Sequence, residues 1–301
     1  MPIVQARPPT LQAYFVASST GEALAYLMAH HGEVQVVAGG TALMPCVQER
    51  SCRARRLVDV SRIAALKRVS WDNAYLTLGG GLTFAALAQQ DTVKLHAPLL
   101  QQAAELMGTP QVRRLATLAG NLVTADGNAH GAVALLALNA EAEITNATGS
   151  QWLPVRSLYV QQGLSRVDST SEIVTALRIP AGMLAPGAAI DDLGAPRGAA
   201  GYSRAPVALA INLVLEPDRV TIDWLSAAIG VVGRIPQLLN DLRATIEGRR
   251  MDDPELGPTF VDGLLALVPT ESAMMSAQIA SLAARVLERA LARAQLVQGS
   301  V

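Results

Sequence analysis

Two turns built almost wholly from small residues constrain this chain more than any other feature. They are Ala38-Gly39-Gly40-Thr41 and Thr117-Leu118-Ala119-Gly120-Asn121. The first directly follows the apolar run 34–37, and the second precedes an apolar stretch at 132–138. Glycine lets a backbone approach a ligand closely and turn its N–H groups inward, which makes a concave donor cluster for phosphate oxygens. A lone Gly-Gly turn is ordinarily only a turn. Two of them, far apart along one chain, can grip a diphosphate from both sides.

The surrounding patterns place these turns in a fold of mixed strands and helices. Ser19 and Glu22 have capping-box spacing, Leu24, Leu27 and Met28 follow at helical spacing, and Gly32 ends the helix before the strand at 34–37. A second unit follows, with strands at 57–60 and 75–79 and helices at 84–88 and 98–107. After the helix at 132–138 come strands at 140–145 and 173–179, the latter closed by Pro180. Residues 183–201 are rich in Gly, Ala and Pro without periodicity and read as a linker. Beyond it Val207, Leu209, Ile211, Leu213 and Leu215 alternate strictly, as on one face of a half-buried strand. Segments 220–222 and 227–232 read as its sheet partners, a helix starts near Leu238 and Leu239, and a long helix carries Ile279, Leu282, Val286 and Ala290.

Composition removes several functions. With 24 basic against 25 acidic side chains, the net charge of −1 lacks the positive footprint of a nucleic-acid binder. Two cysteines make no disulfide scaffold, and Cys46 and Cys52 lack metal-pair spacing. Adjacent His30 and His31 diverge on a helix and cannot easily share a metal. Gly79-Gly80-Gly81 invites a dinucleotide reading, but the third glycine of G-x-G-x-x-G falls on Phe84, so a tight turn is the better reading. There is no G-K-[ST] and no G-x-S-x-G. The longest stretch free of Asp, Glu, Lys and Arg, residues 73–90, holds three glycines and two glutamines and is no membrane span. No secretory signal is visible at the start, so a cytoplasmic location is expected.

At the two turns the chain resembles the FAD-binding medium subunit of the molybdenum hydroxylases, the xanthine dehydrogenase and carbon monoxide dehydrogenase family. The family's "AGGT" loop reads Val37-Ala38-Gly39-Gly40-Thr41. Its second signature reads Gln111-Val112-Arg113-Arg114-Leu115-Ala116-Thr117-Leu118-Ala119-Gly120-Asn121. Val133-Ala134-Leu135-Leu136-Ala137-Leu138-Asn139-Ala140, Leu57-Val58-Asp59-Val60 and the late Ala227-Ala228-Ile229-Gly230-Val231-Val232 also match in order.

The resemblance implies an α+β fold: a two-subdomain FAD-binding domain of PCMH type at 1–182 (subdomains about 1–57 and 58–182), the linker 183–201, and a smaller C-terminal domain of antiparallel sheet plus helices at 202–301. It implies an FAD whose diphosphate lies on the two turns. Val37, Ala38, Gly39, Gly40, Thr41 and Ala42 then belong to the first loop, and Thr117, Leu118, Ala119, Gly120 and Asn121 to the second. Met107 and Tyr202 fall where relatives contact the flavin. The chain departs from the family pattern at Ala42, at Ala119 (a glycine in relatives) and at His130 (an acidic flavin contact in relatives).

The implied function is electron transfer. Electrons would leave a molybdenum cofactor on a large subunit, cross two [2Fe–2S] clusters on a small subunit, and reach an external acceptor through this FAD. The implied assembly is a heterotrimer or a dimer of heterotrimers. A flavin-poor structural subunit and a stand-alone flavin oxidoreductase are the alternatives. Valine at Gly39 or Gly120 is expected to block the diphosphate while leaving the chain folded.

Overall fold

The capping box at Ser19 forms as its spacing predicts. Ser19 Oγ accepts the Glu22 N–H at 3.1 Å, and the Glu22 carboxylate reaches back to the Ser18 N–H at 2.7 Å. It opens α1 (Thr20–Ala29), which follows β1 (Ala13–Val16); Gly32, at φ +81°, then turns the chain into β2 (Val34–Val37). α2 (Leu43–Gln48) leads to β3 (Arg56–Asp59), which lies between β1 and β2 and parallel to both. The strand expected to open the second unit is therefore the centre of the first sheet. Leu57 and Val58 are buried there on both sides, and the first lobe extends past residue 57. The computed structural model describes residues 11–49, 55–127, 129–184, 187–193, 206–270 and 272–298.

The second lobe starts with β4 (Val69–Trp71) and β5 (Tyr75–Gly79) and continues into six helices. These are α3 (Phe84–Gln89), α4 (Asp91–His96), α5 (Pro98–Leu106), α6 (Pro110–Leu115), α7 (Leu118–Val123) and α8 (His130–Ala137). β6 (Glu141–Asn146), β7 (Gly149–Pro154), the small hairpin β8 (Tyr159–Gln161) and β9 (Leu164–Ser165), and β10 (Ile173–Pro180) complete it. β10 returns between β5 and β6, giving an antiparallel sheet in the order β4-β5-β10-β6-β7. Every residue of α8 is buried. A helix apolar all round must be covered all round, and α8 is covered by α5 and α7 of its own lobe together with the C-terminal part of the chain.

That part is a four-stranded antiparallel sheet of β11 (Gly187–Asp192), β12 (Val207–Leu215), β13 (Ile222–Val231) and β14 (Gln237–Leu238). It is backed by α9 (Asn240–Ile246), α10 (Leu256–Leu267) and α11 (Ala273–Gln298). Three expectations change here. Part of the supposed linker, residues 187–192, is an edge strand bonded along β12. The two segments 220–222 and 227–232 are one strand, β13, paired with β12 along its length. Leu238 lies in a short strand, and the helix begins only at Asn240.

β12 is buried on both faces rather than half-buried. Val207, Leu209, Ile211, Leu213 and Leu215 join the core made with α9–α11, while Ala210, with Ala188, Ile190 and Ala228, joins the core around α8. The alternation in the sequence separates large side chains from small ones, not buried from exposed: the small face lets α8 come close. No helix among the described residues is long and apolar enough to cross a membrane.

Candidate functional site

The first turn begins where β2 ends, with the Val37 carbonyl accepting the Val60 N–H at 2.9 Å. A Cβ on Gly39 would overlap the Leu115 carbonyl oxygen and lie 3.1 Å from the Ala116 nitrogen, so the loop rests directly on the end of α6. Gly40 takes φ +68°, a left-handed conformation that disfavours a side chain. The N–H groups of Ala38, Gly39, Gly40, Thr41 and Ala42 donate to no acceptor among the described residues, while the Gly40 carbonyl accepts from Met44 at 2.8 Å. Successive unpaired N–H groups passing through a left-handed residue are the makings of an anion-binding nest.

The second turn does meet the first, since Leu115 and Ala116 lead straight into Thr117. Its donors, however, are occupied. The Leu118 N–H donates to Leu82 O and the Ala119 N–H to Gly80 O, both at 2.9 Å. The Gly120 N–H donates to Thr117 Oγ1 at 3.2 Å, the N-cap of α7. The expectation of two equal N–H clamps is corrected: one turn offers free donors, and the other is the wall it leans on. Thr117 itself keeps an N–H without an acceptor among the described residues.

The glycine triplet explains how that wall is held. A Cβ on Gly79 would strike the Leu66 backbone, and one on Gly80 the Val174 carbonyl. The triplet is thus a close crossing of three backbones at the end of β5, more than a tight turn. Ala119 supplies the methyl that Gly80 lacks, its Cβ lying 3.1 Å from where a Gly80 Cβ would stand. The methyl faces this crossing and the core. Gly39→Val is corrected as well. The substitution would collide with the Leu115 backbone and disturb the fold, so it does not isolate ligand binding.

The remaining expected residues continue from the wall. Asn121 is buried, and its Oδ1 accepts the Ala132 N–H at 3.0 Å, pinning the first turn of α8. His130, the first residue of α8, is also buried, and its Nε2 lies 2.8 Å from Asp192 Oδ2 at the end of β11. Val37 is buried, Thr41 half-buried and Ala42 exposed. Met107 is half-buried at the C-terminal cap of α5, ahead of α6. Tyr202 lies outside the described residues.

Two residues were missed by sequence reasoning. Arg113 Nη1 donates to the carbonyls of Glu105, Met107 and Gly108 at 3.0–3.2 Å and ties off the end of α5; the sequence shows it as part of the second signature but not in this role. Asp192 had none, because the segment around it carries no periodicity. Its neighbour Asp191 accepts from Arg285 Nε and Arg289 Nη1, each at 3.0 Å, and Arg293 Nη1 donates to the Ala188 carbonyl at 2.7 Å. Burial, with Arg289 close by, holds the Arg293 pKa below its usual value. Among the described residues no group of three His, Cys, Asp or Glu side chains could hold a metal.

Residues 9–182 match the family described as the FAD binding domain in molybdopterin dehydrogenase. The chain is 30% identical over 186 residues to the 6-hydroxypseudooxynicotine dehydrogenase complex subunit alpha of Paenarthrobacter nicotinovorans, a match spanning 62% of each chain. It is 26% identical over 287 residues, 95% of each chain, to the caffeine dehydrogenase subunit beta of Pseudomonas sp. strain CBB1. In fold it superposes on a chain of the Hydrogenophaga pseudoflava carbon monoxide dehydrogenase with a TM-score of 0.84 at 22% identity, covering 95% of this chain and 99% of that one. The chain belongs to the family of FAD-binding domains of molybdopterin dehydrogenases.

Proposed function

We propose that residues 38–42 hold the diphosphate of FAD and that the chain works as the electron-transfer subunit of a molybdenum hydroxylase. The single observation carrying this is the run of five N–H groups at a left-handed glycine, set against the α7 cap, that donate to no acceptor among the described residues. That donor set suits a doubly charged diphosphate, and no side-chain cation is needed at the turn. When bound, FAD supplies the redox chemistry, and the protein supplies binding, orientation and electrostatics. Ala38–Ala42 would bind the phosphates, the buried α7–α8 wall would keep water from one side, and Asn121 would keep α8 at a fixed distance from the nest.

The proposed partners are a large molybdenum-cofactor subunit and a small [2Fe–2S] subunit, in a heterotrimer or a dimer of heterotrimers. The similar proteins named as subunits and medium chains of dehydrogenases support this. A second reading, a flavin-poor structural subunit, draws on one observation: three backbone donors of the second turn are occupied within the protein. Measuring flavin per chain in the purified complex separates the two. About one FAD per chain is expected, and a value near zero after supplying FAD during reconstitution overturns the first reading in favour of the second.

A further inference from the structure

α8 ends at Ala137, and Asn139 turns the chain there at φ +47°. The face of the C-terminal sheet that α8 covers continues in cross-strand pairs: Ala210 with Ala228, then Asn212 with Ser226, then Val214 with Trp224. Pairs two residues apart along a ladder share a face. The first pair packs in the core around α8. Beyond it the face turns polar, and a cavity of about 340 Å³ opens whose walls include Asn139, Ser226 and Trp224. Met183, Leu238 and Leu239 give it an apolar side. The cavity therefore lies on the seam between the second lobe and the C-terminal part, at the opposite end of α8 from His130. Its volume is that of a small-molecule site, which runs from roughly 300 to 1,000 Å³.

The charge of this cavity has one sign. No Asp or Glu lines it, whereas Arg156 from the second lobe and Arg243 from α9 both do. Arg243 is matched by Glu247 at 2.5 Å and lies 5.9 Å from the centre of the Trp224 ring. Arg156 has no carboxylate partner among the described residues. Its Nη1 donates to Asn139 Oδ1 at 2.8 Å, which anchors the guanidinium while its other N–H groups meet no acceptor among those residues. A guanidinium fork matches a planar carboxylate through two parallel N–H bonds, and one uncompensated positive charge suits one negative charge. Half-buried Trp224 offers a flat face to a ring.

We propose that this cavity binds an aromatic carboxylate, with Arg156 holding the carboxylate and Trp224 lying against the ring. Such a ligand bridges the second lobe and the C-terminal sheet. The site shares no residue with the glycine nest, so it stands or falls apart from the FAD reading.

The test is calorimetric titration of the full chain with 2-naphthoate, repeated with acetate, with the neutral 2-naphthylmethanol, and in the presence of excess FAD. 2-Naphthoate should bind, and each analogue should bind at least about tenfold more weakly, since each lacks one of the two recognised groups. Arg156→Gln should weaken 2-naphthoate about tenfold, and Arg156→Lys, which keeps the charge but not the fork, by less. Arg156 is exposed, so neither variant should much change the melting temperature of the ligand-free chain. Trp224→Leu should weaken 2-naphthoate about fivefold and leave acetate unaffected. Saturating 2-naphthoate should raise the melting temperature of the wild type and not that of Arg156→Gln. The proposal is overturned if 2-naphthoate does not bind, or if Arg156→Gln or the neutral analogue binds as well as the original pair. Displacement by FAD also overturns it, by assigning the probe to the nest instead.

Discussion

A methyl group on Gly39 and one on Gly40 meet different surroundings, and the difference is testable. On Gly39 it would overlap the Leu115 carbonyl, whereas on Gly40 it would lie 3.0 Å from Met44 Cγ, a side-chain atom, at φ +68°. Gly40→Ala should cost about 1–2 kcal/mol through its left-handed backbone and keep the chain folded. Gly39→Ala should cost more and should lower FAD affinity as well, because it separates the nest from its wall. Thermal melts with FAD titration compare the two. Thr117→Val keeps the shape of the side chain but leaves the Gly120 N–H without its acceptor, a loss of about 1 kcal/mol measurable by denaturant titration. At this scale the sequence named the right residues but misjudged what several of them do. Spacing shows that a backbone is bare, not whether its N–H groups are already spent. The occupied donors of Leu118 and Ala119 depend on Leu82 and Gly80, far away along the chain.

Elements were legible where a period dominated. The first β–α–β unit, α5, α8 and β12 all appear where apolar spacing put them. β11 was hidden because Gly-Ala-Ala-Ile-Asp-Asp has a single β-branched residue, Ile190, and no aromatic; the small residues let α11 sit close, with Ala294 Cβ near Gly187. The small face of β12 carries its own prediction. Ala210→Leu would force a large side chain against the buried α8 layer, at a cost of about 1–3 kcal/mol, visible as a lower melting temperature. The turn joining β12 to β13 responds to acid instead. The Asp218 carboxylate accepts from the Thr221 hydroxyl and from the Thr221 and Val220 N–H groups, which pull its pKa from 3.8 down to about 2. A carboxylate lowered on folding stabilises the turn above its unfolded pKa and loses that effect as pH falls. Amide exchange at Val220 and Thr221 should therefore speed up, relative to neighbouring strands, between about pH 4 and pH 2.

At the scale of the whole molecule, the two halves touch backbone to backbone. A Cβ on Gly127 would overlap the Val231 carbonyl and one on Gly230 the Gly127 carbonyl, and the Gly127 N–H donates to Arg234 O at 2.9 Å. Gly230→Ala should cost about 1–3 kcal/mol by prising this seam open, lowering the melting temperature by several degrees. The sequence matched the family at residues 227–232 but gave no hint of the seam, because a glycine inside a strand does not name the backbone it admits. The fully buried α8 and the two-sided β12 belong together for the same reason: each finishes the other's interior. During synthesis the lobe containing α8 leaves the ribosome first, so its seat stands ready when the alanine side of the late sheet emerges. A fragment spanning 206–298, made without that seat, would carry a sticky flank into the cytosol and end in inclusion bodies.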